Sequence, residues 1–67
     1  MIKPHIIFDN TVQSKKIKKI LDNQIKNSTL IGCNLIIVIG GDGFMLQTLK
    51  RYKKSNKLFY GINSGNY

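Results

Sequence analysis

The most constraining feature of this chain is the run Leu35-Ile36-Ile37-Val38-Ile39, followed at once by Gly40-Gly41-Asp42-Gly43-Phe44-Met45-Leu46. The run has no polar break, so both faces of the segment require burial. A central strand of a parallel sheet has this character. The glycine-rich stretch ends the strand, and helical periodicity follows directly. A buried strand that enters a glycine turn and then a helix brings backbone N–H groups and a helix N-terminus up to a phosphate. Asp42 stands in that turn, at the carboxyl end of the strand, the edge on which open α/β sheets bind ligands.

The rest of the chain supplies the partners of this strand. His5-Ile6-Ile7-Phe8 is predicted as the first strand, with Pro4 at its start, where a missing N–H does least harm. Asp9-Asn10-Thr11 is a turn, and Thr11 or Asn10 can cap a helix predicted over Val12 to Gln24. Ile17, Ile20, Leu21 and Ile25 form its inner face. A second helix is predicted over Phe44 to Lys53. Its inner face is Met45, Leu46, Leu49 and Tyr52, and its outer face carries Gln47, Lys50, Arg51, Lys53 and Lys54. Leu58 to Ile62 is the third strand, and Asn63-Ser64-Gly65-Asn66 the turn beyond it. The order β-α-β-α-β predicts an α/β fold, a three-layer parallel sheet with right-handed crossovers. The turns at Gly40–Gly43 and Asn63–Asn66 should then share one edge.

Size and charge narrow the function classes. At 67 residues and 42% hydrophobic content, one small core is possible. A single cysteine, Cys33, excludes an internal disulfide and fits a reducing, cytoplasmic compartment. The N-terminus is not a signal peptide, and no stretch approaches the roughly 20 apolar residues of a spanning helix, so no membrane partner is expected. The net charge is +8, from eleven Lys+Arg against three acidic residues. Ten of the eleven are Lys and are dispersed over two helices and a loop. Base-edge and bidentate phosphate recognition favours Arg, which argues against nucleic acid as the partner. Lys15, Lys16, Lys18 and Lys19 read as a solvated helix face, with an anion-attracting patch as the sharper alternative. His5 has no second ligand at metal spacing, so no protein metal site is predicted.

Gly40, Gly41 and Gly43 can each supply positive φ and close backbone approach. Asp42 between them suits a general base that reaches a hydroxyl, or an outer partner of Mg²⁺. The spacing is neither the Gly-x-Gly-x-x-Gly dinucleotide fingerprint nor a P-loop. The plain alternative is that the turn only caps a helix, with Asp42 as its N-cap.

Ile-Val-Ile-Gly-Gly-Asp-Gly-Phe-Met-Leu, followed by Tyr-Gly-Ile-Asn-Ser-Gly-Asn, resembles the amino-terminal half-domain of the ATP-dependent NAD kinases. The resemblance covers mainly Asn34 to Asn66. The paired motifs and their order carry it, since Gly-Gly-Asp-Gly alone is shared with diacylglycerol-type lipid kinases and phosphofructokinases. It implies an incomplete NAD-kinase-like, phosphofructokinase-like amino-terminal domain over residues 1–67. Asp42 then resembles the proton acceptor facing the 2′-hydroxyl of the adenosine ribose of NAD. Gly41 and Gly43 resemble the backbone that meets the nucleotide and phosphate chain, and Asn63 and Gly65 match the second motif of the same pocket. The substrates implied are NAD and ATP, with Mg²⁺ brought by ATP, and the full-length form implied is a homo-oligomer. Two departures stand out. Phe44 replaces the Thr of most members, and the chain stops before the family's Gly-Phe pair, Asn-Glu motif and second, β-rich domain. The 67 residues alone are therefore expected to be an inactive or poorly folded piece. A lipid kinase, a basic nucleic-acid-binding module and a degenerate, inactive fragment are the alternatives.

Overall fold

The computed structural model describes residues 1–65. Strand β1 is Pro4–Phe8, helix α1 Val12–Asp22, strand β2 Leu35–Gly40, helix α2 Asp42–Tyr52 and strand β3 Leu58–Asn63, with a short 3-10 turn at Lys53–Ser55. The three strands form one parallel sheet in the order β1-β2-β3. β2 is central, with apolar residues on both faces, and Ile36 to Gly40 are all buried.

Alternation along β2 divides the core in two. Ile37 and Ile39 join Ile6 on one face, covered by Ile17 and Leu21 of α1, with Ile25 and Ile62. Ile36 and Val38 join Cys33 on the other, covered by Phe44, Met45 and Tyr52 of α2, with Ile7, Leu30 and Phe59. The architecture is thus helix, sheet, helix, in the expected β-α-β-α-β order.

Both steps run the same way across the sheet, yet the two helices lie on opposite faces. The connection after α1 accounts for this, because it wraps around the free edge of β1. The Ser28 N–H donates to the Pro4 carbonyl at 2.6 Å, and the Asn27 Oδ1 accepts from the Ile6 N–H at 2.9 Å. His5 Nδ1 lies 2.7 Å from the Ser28 carbonyl. The chain then reaches the opposite face, where Leu30 and Cys33 pack, before it enters β2. The segment therefore satisfies part of β1's outer backbone row, which would otherwise be an open edge.

Element ends also shift. Thr11 is the cap of α1, and its Oγ1 accepts from the Ser14 N–H at 3.2 Å. The helix stops at Asp22, short of Gln24, because Asn23, Gln24 and Ile25 turn their N–H groups back onto Ile20 and Leu21. Ile20 is 61% exposed, so it is not on the inner face. α2 begins at Asp42, ahead of Phe44, and its N-cap is Gly41, not the Asp42 of the plain capping alternative. Leu46 and Leu49 are exposed, because the sheet beneath α2 is only three strands wide. Asn56 alone among the non-glycine described residues has a positive φ, at 60°, which ends the 3-10 turn.

Candidate functional site

The parallel register decides what meets at the carboxyl edge. Gly40 of β2 pairs with Asn63 of β3. Phe8 of β1 pairs with Ile39, and the Asp9 N–H donates to the Ile39 carbonyl at 3.0 Å. Asp9, the Gly40–Gly43 turn and Asn63 therefore stand side by side on one rim. Asn63 is the last residue of β3 rather than the first of a turn. Asn66, the end of the predicted turn, lies outside the described residues.

The glycine turn works by close approach, not by positive φ. None of the described glycines has a positive φ, which corrects the expectation for Gly40, Gly41 and Gly43. A Cβ on Gly40 would lie 2.6 Å from Phe44 Cδ2 and 2.9 Å from Asp9 Oδ2. No side chain fits there. At Gly41 and Gly43 a Cβ would meet nothing within 4 Å. These two positions present bare backbone to open space at the start of a helix, the arrangement an anion uses.

Asp42 sits in the first turn of α2 and is exposed. Its Oδ1 accepts from Asn63 Nδ2 at 3.1 Å. Asn63 Oδ1 in turn accepts from the Gly65 N–H at 2.8 Å, which leaves the amide NH₂ facing Asp42. The Ser64 N–H donates to the Gly40 carbonyl at 3.1 Å. A Cβ on Gly65 would lie 3.7 Å from Gly41 Cα. Five residues singled out from the sequence, Gly41, Asp42, Gly43, Asn63 and Gly65, are thus brought together.

Sequence reasoning passed over Asp9, Ser14 and Ser64. The Asp9 Oδ1 accepts from Thr11 Oγ1 at 2.7 Å and from the Thr11 N–H at 3.2 Å. Its carboxyl pKa is held below the ordinary value. The Ser14 hydroxyl is the main cause, the Thr11 hydroxyl is next, the Thr11 and Gly41 N–H groups add to it, and desolvation opposes it. Ser14 is fully buried, and its Oγ lies 2.5 Å from Ser64 Oγ. Asp9 stands at a strand's carboxyl end, and the rule that singled out Asp42 would have singled it out too.

Two cavities flank α2, and neither is lined by these residues. One, of about 410 Å³, lies among Ile7, Phe44, Gln47, Thr48, Arg51 and Tyr52. The other, of about 210 Å³, lies among Val38, Met45, Leu49, Phe59, Tyr60 and Gly61. We place the site at the rim, because there the polar groups converge, while the cavities are the uncovered flanks of one helix. Among the described residues no cluster of three or more His, Cys, Asp or Glu forms, and no helix is long and apolar enough to cross a membrane. Part of the basic charge is used internally. Lys57 Nζ donates to the Cys33 carbonyl at 2.7 Å, and Lys18 pairs with Asp22 at 2.6 Å.

Comparison with known proteins gives one consistent result. The chain is 31% identical over 61 residues to an NAD kinase of Brucella suis, an alignment that covers 91% of this chain and 24% of the relative. It is 36% identical over 56 residues to an NAD kinase of Caldicellulosiruptor saccharolyticus, covering 84% of the chain and 21% of that protein. Over a shorter stretch of 32 residues it is 53% identical to an NAD kinase of Rhizobium meliloti, covering 48% of the chain and 12% of the relative. The chain thus spans at most about a quarter of the length of these relatives. No family model matches, and no solved structure does. The paired glycine motifs, their meeting on one rim of a parallel sheet and these alignments agree: the chain belongs to the NAD kinase family.

Proposed function

We propose that this chain carries the substrate-facing rim of an ATP-dependent NAD kinase, which phosphorylates the 2′-hydroxyl of the adenosine ribose of NAD to give NADP. The observation that carries the reading is the hydrogen bond from Asn63 to Asp42, which ties the two glycine motifs into one site. One carboxylate oxygen is engaged by the amide, and the exposed carboxylate has lone pairs left for a hydroxyl.

In this mechanism Asp42 accepts a hydrogen bond from the 2′-hydroxyl and orients it. As the hydroxyl oxygen bonds to the γ-phosphorus, the bond to the leaving ADP oxygen breaks and the proton passes to Asp42. Gly41 and Gly43 let the substrate approach the backbone at the start of α2, where N–H groups meet negative charge. Asn63 and Gly65 hold the facing wall. Most of the catalytic effect comes from positioning and charge neutralisation. Mg²⁺ would arrive on the nucleotide phosphates, and among the described residues no protein ligand set for it is identified. The ion would neutralise phosphate charge.

The test is Asp42→Asn in a full-length protein that contains this segment. NADP formation should fall by about 10²–10⁴-fold, the worth of a general base, with the fold intact because Asp42 is exposed. NADP production close to that of the unmodified protein would refute the role.

A further inference from the structure

We infer that Ser14 and Ser64 form a hydrogen-bonded clamp that holds the Asn63–Gly65 tip against the glycine turn, so that they act as positioning residues for Asp42. This deepens the kinase reading and rests on it.

The Ser14 and Ser64 Oγ atoms lie 2.5 Å apart, and either hydroxyl can donate. The Asp9 carboxylate stands at the same rim. It accepts from the Thr11 hydroxyl and N–H, which fixes it to the capped start of α1, and it lies beside Gly40.

Ser64 is the far end. It stands between Asn63, which donates to Asp42, and Gly65, whose N–H fixes the Asn63 amide. Its backbone is held by Gly40 and its side chain by Ser14. The tip ends an edge strand whose residues are half-buried or exposed. Ser14 is fully buried although its neighbours Gln13, Lys15 and Lys16 are all exposed. A hydroxyl sealed there, in contact with a residue fifty positions away, stabilises a particular geometry more than it stabilises the core.

The experiment measures amide hydrogen exchange in the chain itself, without nucleotide. Ser64→Ala should speed exchange at the Ser64 and Gly65 N–H groups about tenfold, the worth of one hydroxyl pair. Ile37 and Ile39 should keep their rates. Ser64→Thr, which keeps the hydroxyl, should exchange like the unmodified chain. Ser14→Ala should match Ser64→Ala, and the double variant should add little. In a full-length protein, Ser64→Ala should lower kcat about tenfold with KM for NAD nearly unchanged, and Ser64→Thr should restore kcat. Unchanged exchange in Ser64→Ala, or a Thr variant that behaves like Ala, overturns the clamp. The exchange arm is independent of substrate. Exchange effects without any NAD turnover in the unmodified full-length protein would support the clamp and strike down the kinase reading. Turnover with no exchange effect would do the reverse.

Discussion

Replacing Gly40 with Ala tests the close-approach account of the glycine turn most sharply. The backbone there is not in the left-handed region, so conformational strain is not the issue. The added methyl would lie 2.6 Å from Phe44 Cδ2, 3.1 Å from Phe44 Cβ and 2.9 Å from Asp9 Oδ2. Phe44 packs on the core beneath α2, and Asp9 is anchored to Thr11. Neither can move aside freely, so the helix start must shift. Overpacking of this kind costs about 1–3 kcal/mol. A domain of this length holds on the order of 3–10 kcal/mol in total, so the loss is large. Gly43→Ala is the internal control. It lies in the first turn of α2 with open space around it. It should be neutral or stabilise by about 0.4–1 kcal/mol, since it restricts the unfolded chain without a clash. Urea titration of the two variants reads the difference directly, with C_m shifting at constant m. Equal midpoints for the two would refute the packing argument.

Four further outcomes follow from the same geometry. Ile36→Ala, at a fully buried position, should cost about 2–5 kcal/mol and leave the chain largely unfolded by circular dichroism. Thr11→Ala removes the cap of α1 and one bond to Asp9, and should cost about 0.5–2 kcal/mol in the same titration. The folded-state pKa of Asp9 lies below the ordinary 3.8, so its contribution to stability is present above that value and is lost as pH falls through the lower folded one. Urea midpoints of the unmodified chain and Asp9→Asn should therefore converge as pH drops below 3.8. Binding to DNA or RNA should be weak and lost with modest added salt, and tight binding in a filter assay that survives Asp42→Asn would revive the nucleic-acid alternative.

The parts of the fold legible in the sequence were those fixed by a single chain-local signal. An unbroken apolar run could only be the central strand, and parallel order then forced the Gly40–Gly43 and Asn63 tips onto one rim. What escaped depended on distant partners. Asn27 and Ser28 read as a polar break, yet they satisfy the outer edge of β1, which changes the path of the connection and puts α1 and α2 on opposite faces. Ile20 fits helical spacing but overhangs a narrow sheet. The glycines suggested positive φ, whereas Gly40 is required by the nearness of Phe44 and Asp9. Asp9 itself sat in an Asp-Asn-Thr turn, whose ordinary capping role is real and hid its neighbours across the rim.

The account stands or falls on whether substrate meets this rim. The direct measurement is an NAD titration of the chain followed through its backbone amide resonances. The rim predicts that Gly41, Gly43 and Gly65 shift and that Asp42→Asn weakens the response. Shifts confined to Gln47, Thr48 and Arg51 around the larger cavity, or no shift at any of the three glycines, would contradict it.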